Sequence, residues 1–380
     1  MDITIALVIV VIASVVIMYA CDSFDEAASY IGRNMKPGVR GATINAVGSS
    51  MPELMTAMFL LFLYHDQDGF SAGIATTAGS AVFNAVIIPM VCILAVRYKG
   101  VATEKLVDGV TRVVREKIDG IEVSKETIIR DGVFLLAAEA VLIWFLRGNT
   151  MAWWMGACLM GIYLLYFAFL MTGFGGANDD EEEDEDAEDD DDESVSKLKA
   201  LLTFDFNTLL FNARSFSTGS AWVVLTLATT VLGVACWKLA DAVMMSANAL
   251  GVPPYFTAVI LAAAATSVPD TVLSVKDALR GDYDDAISNA LGSNTFDITV
   301  ALGFPLLLYG LMFGDVVIES AAQTQTLRWV IFFVTLTVLS LFLFSKRVTV
   351  NTSYVLGAIY LGWVAFLVYG MVTFTRVVTG

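Results

Sequence analysis

Two short stretches of this 380-residue sequence set polar residues inside apolar surroundings. The stretch "NAVGSSMPELMTAMF" contains Ser50, Pro52 and Glu53, and "AAAATSVPDTVLSVK" contains Ser267, Pro269 and Asp270. A third carboxylate, Asp297, stands in "AISNALGSNTFDITVALGFP", and Asn84 holds the matching place in "GIATTAGSAVFNAVIIP". On insertion scales an aspartate at the centre of a membrane helix costs about 2.5–3.5 kcal/mol. Glu53, Asp270 and Asp297 together would then approach the ~5–15 kcal/mol stability of a whole fold. Lys and Arg are absent from the same depth in these spans, so the expected partner is a soluble cation.

Spacing brings the side chains together. Ser50 and Glu53 are i, i+3, while Ser80 with Asn84 and Ser293 with Asp297 are i, i+4, so each pair shares one helix face. Pro52 and Pro269 each remove a backbone donor and free a carbonyl one turn earlier, which lipid tolerates only if another group satisfies it. The resulting set of carboxylates, hydroxyls, an amide and carbonyls is all oxygen. It suits Ca²⁺ or alkali ions of similar size and not zinc or copper, which prefer nitrogen and sulfur. The single histidine, His65, and the scattered cysteines Cys21, Cys92, Cys158 and Cys236 read as a loop residue and buried small hydrophobes.

The polar set occurs twice. Ser50 pairs with Ser267, Pro52 with Pro269, Glu53 with Asp270, Ser80 with Ser293, and Asn84 with Asp297. The elements that must position these residues are membrane helices, since 57% of the chain is hydrophobic and runs such as "ITIALVIVVIASVVIMYA" are long enough for a bilayer core of ~30 Å. The pattern predicts an all-α membrane protein with ten spans, near 3–31, 39–64, 70–96, 131–146, 151–172, 221–248, 254–275, 283–311, 328–345 and 353–373. Five spans precede an acidic segment and five follow it. An odd number per half inverts one half relative to the other, with helices broken near the midplane and a substrate site between the halves, as in many secondary transporters. The expected division is a first five-helix repeat over 1–175 with a loop at 97–130, an acidic linker over 176–219, and a second repeat over 220–380.

The net charge of −17 comes mostly from Asp179–Glu193, which holds fourteen acidic residues in fifteen positions. Such a run repels itself and is expected to be disordered. With the N-terminus outside, 18 of the 22 Lys and Arg residues fall on the inner side and only Arg147, Lys238, Arg328 and Arg376 on the outer, as the positive-inside rule requires. The 97–130 loop and the acidic run are then cytoplasmic. Asp119-Gly120, between β-formers, reads as a hairpin turn. Glu139 sits mid-span in "LLAAEAVLIW", lining a water-filled crevice or bonding a neighbouring helix.

At "GSSMPE" with "TSVPD", and "GSAVFN" with "GSNTFD", the sequence resembles the cation/Ca²⁺ exchanger superfamily, specifically the Na⁺/Ca²⁺ exchangers. Gly41–Pro89 and Ala258–Leu307 are similar to the two signature regions of that family. The resemblance implies an antiporter in which Glu53 and Asp270 are central ligands shared by Ca²⁺ and Na⁺. Ser50, Ser80, Ser267 and Ser293 resemble the hydroxyl ligands, Asn84 and Asp297 complete the ring, and the carbonyls of Ala46 and Ala263 are backbone ligands by the same analogy. The first and sixth spans resemble the sliding gate helices of the fold. The Gly-Asn-x-x-Glu motif of the Ca²⁺/H⁺ exchangers is absent, which disfavours that branch. Aspartates at both 270 and 297 resemble the K⁺-dependent exchangers, yet some prokaryotic K⁺-independent members share Asp297, so K⁺ coupling stays open. The implied location is the cell membrane. The expected partners are the bilayer and small inorganic cations, with no nucleic acid, no resident cofactor and no enzymatic activity; the oligomeric state stays open. A Ca²⁺-permeable channel is the rival from another class and predicts downhill flux without Na⁺. An intramembrane aspartyl protease would need Tyr-Asp and Gly-x-Gly-Asp sequences inside its spans; Gly-x-Gly-Asp is absent, and the Tyr283-Asp284 of "GDYDD" lies at a span's charged inner end.

Overall fold

The computed structural model describes residues 3–31, 33, 46–65, 68–107, 110–171, 193–212, 216–345 and 347–379. Most of the acidic run, and the expected span's first residues before Ala46, lie outside these. The first half contains helices α1 (Ile3–Ile31), α2 (Ala46–Leu63) and α3 (Gly69–Tyr98), strands β1 (Val101–Val107), β2 (Val110–Glu116) and β3 (Gly120–Ile121), helix α4 (Lys125–Phe145), strand β4 (Thr150–Met151) and helix α5 (Trp153–Met171). Two short helices follow, α6 (Glu193–Leu202) and α7 (Phe206–Phe211). The second half contains α8 (Thr218–Leu250), α9 (Pro254–Thr266), α10 (Val268–Arg280), α11 (Tyr283–Phe313), β5 (Val316–Val317), α12 (Ala321–Phe344), β6 (Val348–Thr349) and α13 (Val350–Thr379).

Among the described residues seven helices are long and apolar enough to cross a membrane, or eight if α9 and α10 are one bent span. The outward face of α1 shows why a bilayer is needed: Ile5, Val8, Val11 and Ile12 are at least half exposed, a surface too apolar for water. Its other face carries buried Ala6, Ala13, Ala20 and Cys21. It lies along α8, which presents Ala221, Ala228, Ala235 and Cys236. Small residues on both sides let the two backbones approach without lipid between them.

The centre is built differently. Every residue of Gly69–Val82 in α3 is buried, as is nearly all of Ala286–Ala301 in α11. At Gly79 an added Cβ would stand 2.1 Å from the Val259 carbonyl oxygen of α9, so only glycine permits this approach. Each central helix widens into a π turn, Phe83–Ile87 in α3 and Asp297–Ala301 in α11. The first spans Asn84 and the second opens on Asp297. Such turns displace backbone and side chains at functional positions.

The break expected at proline appears at Pro269. The span bends by 40° between α9 and α10, and the carbonyl freed by the missing N–H, that of Ala265, accepts the Ser14 hydroxyl of α1 at 3.4 Å. Pro52 instead lies within the continuous helix α2.

Three further expectations need correction. Asp119-Gly120 is not a hairpin turn: the hairpin is β1–β2, with Val107 opposite Val110, and Gly120–Ile121 pairs with Val348–Thr349. The helix expected at 131–146 is longer: α4 begins at Lys125 with Ser124 capping it through the Thr127 N–H, so its 21 residues reach about 31 Å at 1.5 Å per residue, although it is not among the seven apolar enough to cross. The ninth begins at Ala321 rather than 328, which carries Arg328 two turns into the helix, where it is 1% exposed. Arg328 is therefore an interior residue and not a flanking charge.

Short strands tie the halves together at both ends of α4. β3 pairs with β6 just before it and β4 with β5 just after it. Asp68, ahead of α3, accepts the backbone N–H groups of Glu319 and Ser320 at 3.2 and 3.1 Å, adding a clasp beside β5.

Candidate cation site

The polar residues singled out by spacing converge where α2, α3, α9–α10 and α11 meet. Glu53, Asp270, Asp297, Asn84, Ser50, Ser80, Ser267 and Ser293 are all fully buried. The i, i+4 pairs do share faces, and the π turns carry Asn84 and Asp297 inward.

The contacts come in two kinds. Within each half, a serine faces the carboxylate after the proline: Ser293 donates to Asp270 Oδ1 at 2.9 Å, and Ser80 stands 3.5 Å from Glu53 Oε1. Between halves, Ser80 donates to Asp297 Oδ2 at 2.9 Å, Asn84 Nδ2 donates to Asp270 Oδ2 at 2.9 Å, and Ser267 donates to the Ser80 hydroxyl at 3.0 Å. Two further cross-half neighbours are Ser49, beside Asp270, and Thr266, beside Glu53. The spacing argument missed these two, although their signal was present. Ser49 and Thr266 precede Ser50 and Ser267 by one residue, so the repeat aligns them as a sixth pair.

Several buried oxygens in this cluster have no hydrogen-bond partner: Ser50 Oγ, Glu53 Oε2, Asn84 Oδ1 and Asp297 Oδ1. Buried acceptors of this kind are costly unless satisfied, and all four are hard oxygen donors. Among the described residues no three His, Cys, Asp or Glu side chains close around a single point. The carboxylates are spaced by hydroxyls and an amide, so any cation here would be held by a mixed oxygen set rather than a carboxylate cage.

The two backbone expectations fare differently. Ala46 is the first described residue of α2, at the edge of the cluster's helix. The Ala263 carbonyl accepts both the Ser267 N–H at 3.1 Å and the Thr266 hydroxyl at 3.4 Å. Both of its lone pairs are thus engaged in this conformation.

Two charged side chains lie behind the cluster. Arg328 Nη2 donates to the Ile74 carbonyl at 2.8 Å and to Thr77 Oγ1 at 2.5 Å. Glu139 is fully buried and accepts from Thr335 Oγ1 at 3.1 Å, so it bonds a neighbouring helix, one of its two expected roles. About two turns earlier on α4, Asp131 accepts from Arg130 at 2.6 Å, Ser288 at 2.7 Å and Tyr166 at 3.0 Å, joining α4, α5 and α11.

Long apolar helices around a buried oxygen-lined centre define a multi-pass integral membrane protein of the transporter class. The sequence profile of the family described as sodium/calcium exchanger protein matches residues 5–172 and 220–369, and the chain belongs to that family. Similar proteins include the sodium/potassium/calcium exchanger Nckx30C of Drosophila melanogaster, 32% identical over 143 residues. That match covers 36% of this chain but only 16% of the Drosophila protein. The putative antiporter CaxA of Alkalimonas amylolytica is 26% identical over 320 residues, 84% of each chain. Among solved structures, the sodium-calcium exchanger NCX_Mj aligns with a TM-score of 0.54 at 18% identity over 96% of this chain and 99% of its own. The H⁺/Ca²⁺ exchanger CAX aligns with a TM-score of 0.59 at 13% identity over 97% and 87%. At these identities the likeness is one of fold.

Proposed function

We propose that this protein is a secondary active antiporter that exchanges Na⁺ for Ca²⁺ by alternating access. Both ions compete for one site formed by Glu53, Asp270, Asp297, Asn84, Ser50, Ser80, Ser267 and Ser293. The observation that carries this reading is the set of cross-half contacts, Ser80 to Asp297 and Asn84 to Asp270 at 2.9 Å, beside buried oxygens without partners. Carbonyls of Ala46 and Ala263 join the site only in a state in which Ala263 releases its helical donors.

The coupling follows from electrostatics. An empty, ionised site is expensive to occlude away from water. Ions that neutralise it make the occluded state accessible, so the loaded carrier crosses and the empty one stays open to one side. The gate is the α1–α8 pair, whose small-residue interface can slide while its apolar face meets lipid. If three Na⁺ exchange for one Ca²⁺, one charge moves per cycle and the membrane potential biases transport by about 2.3 kcal/mol per 100 mV.

The architecture proposed is ten spans in two inverted halves, α1 to α5 and α8 to α13, with α9–α10 as one broken span. The N-terminus lies outside and the acidic run is cytoplasmic, at the cell membrane. The strand pairs support this arrangement: β3 and β6 lie in loops that charge assigns to the inner face, β4 and β5 in loops it assigns to the outer.

The test is Ca²⁺ uptake into proteoliposomes under imposed Na⁺, K⁺ and pH gradients. Uptake driven by an outward Na⁺ gradient, and lost in Glu53→Gln, is expected. Flux without any Na⁺ requirement would indicate a channel, and flux driven only by a pH gradient would indicate proton coupling.

A further inference from the structure

The exchanger reading leaves one buried basic side chain unused. Arg328 is the one basic side chain among the fully buried polar and charged residues described, at 1% exposure. We propose that its guanidinium is a built-in monovalent cation for the site, so that exchange by this chain needs no K⁺ although Asp297 is present. The inference rests on the exchanger reading and concerns which charges complete the same site.

Placement is the first observation. Arg328 Nη2 is anchored on α3 through the Ile74 carbonyl and Thr77 Oγ1. Ser80 follows Thr77 by one helical turn and donates to Asp297. The guanidinium therefore lies about one turn behind the Ser80–Asp297 contact, within electrostatic range of Asp297.

The second observation is incomplete pairing on both sides. Arg328 Nε and Nη1 have no hydrogen-bond partner, and neither does Asp297 Oδ1. Glu139 is also in electrostatic range of Arg328, and its Oε2 is unpartnered. Thr335, which holds Glu139, is two turns along α12 from Arg328. Arg328 thus sits among carboxylates that it compensates without being locked to either by a direct ion pair.

The third element is chemical. An arginine side chain stays protonated throughout the physiological range, so this charge is permanent and cannot be released into solution. A hydrated K⁺ approaching Asp297 would meet a like charge already in place. Asp297 and Glu139 thus share one fixed cation, and Ca²⁺ or Na⁺ need compensate only the charge that remains on the site.

The experiment measures Na⁺-driven Ca²⁺ uptake by the full chain in proteoliposomes, with K⁺ titrated against choline at constant ionic strength. Wild type is expected to show the same initial rate at every K⁺ concentration. Arg328→Gln is expected to lose uptake in choline and to regain it, at least in part, with K⁺. Arg328→Lys, which keeps a charge, is expected to remain indifferent to K⁺. Wild-type uptake that proceeds with K⁺ and collapses in choline would overturn the inference while leaving the exchanger reading intact. Active Arg328→Gln that ignores K⁺ would overturn it equally. If Arg328→Gln fails to fold, the wild-type titration alone decides. No Na⁺-driven uptake by wild type at any K⁺ concentration would remove the exchanger reading, and this inference with it.

Discussion

Replacing Asp270 with asparagine tests the site at its most heavily bonded carboxylate. Asp270 accepts from Ser293 through Oδ1 and from Asn84 through Oδ2, each at 2.9 Å. It is fully buried, and Ser49 lies beside it as well. Asparagine keeps the shape but puts an N–H₂ group where one of these donors already points. One charge-assisted hydrogen bond is lost, worth about 1.5–3 kcal/mol. The attraction of a unit charge for a bound cation is lost too, about 4 kcal/mol per ionic charge at 4 Å and an effective dielectric of 20. Together these exceed about 5 kcal/mol, a loss of more than about a thousandfold in Ca²⁺ affinity. Calorimetric titration of detergent-solubilised protein reads the affinity, and proteoliposome uptake reads transport. Asp270→Asn that folds, binds Ca²⁺ within about tenfold of wild type and still exchanges it against Na⁺ would refute the assignment.

Other expectations follow from the same geometry. Ser293→Ala removes one hydroxyl from Asp270 and is expected to weaken Ca²⁺ binding by about 10- to 150-fold, from one charge-assisted bond of about 1.5–3 kcal/mol. Ser80→Ala should cost more in the same titration, since Ser80 meets Asp297, Glu53 and Ser267 together. Gly79→Ala would press a methyl against the Val259 carbonyl and the Ala263 side chain; a thermal-shift assay should show destabilisation by about 1–3 kcal/mol, as for overpacked cores. Asp131→Asn disrupts the clasp of Arg130, Ser288 and Tyr166, away from the carboxylate cluster. It should lower melting temperature while leaving Ca²⁺ affinity close to wild type.

The buried polar cluster was legible because two constraints acted on its residues at once. Helical spacing set which side chains share a face, and the duplicated Ser-x-Pro-acid pattern identified which faces belong together. Pairings within one turn, such as Ser80 with Asn84, followed directly. Contacts made through tertiary packing did not. Thr266 lies beside Glu53 across the interface of the halves, and only its alignment with Ser49 in the repeat sets it apart from an ordinary helix threonine. Arg328 was placed at a surface because "AAQTQTLRW" lacks the apolar density of a lipid-facing helix. The stretch is helical from Ala321 because its polar side chains include Thr324, which bonds the Ser320 carbonyl, and Arg328, which bonds α3. Hydropathy reports the lipid-facing surface and is silent on polar groups satisfied inside. The strand pairs were hidden for a similar reason. Asp119-Gly120 has good turn chemistry, but pairing with Val348–Thr349 depends on a segment more than two hundred residues away. Pro52 and Pro269 are equivalent in sequence, yet only the second lies at a bend among the described residues, and there Ser14 of α1 donates to the freed Ala265 carbonyl.

An anomalous difference map from crystals loaded with Sr²⁺ at low Na⁺ tests the central claim most directly. The expected result is one strong peak in coordination contact with oxygens from both Glu53 and Asp270, close to the about 2.3–2.6 Å range of Ca²⁺, which fades as Na⁺ is raised. A peak bonded to one of these carboxylates alone, or a Sr²⁺ site elsewhere that Na⁺ does not displace, would contradict it.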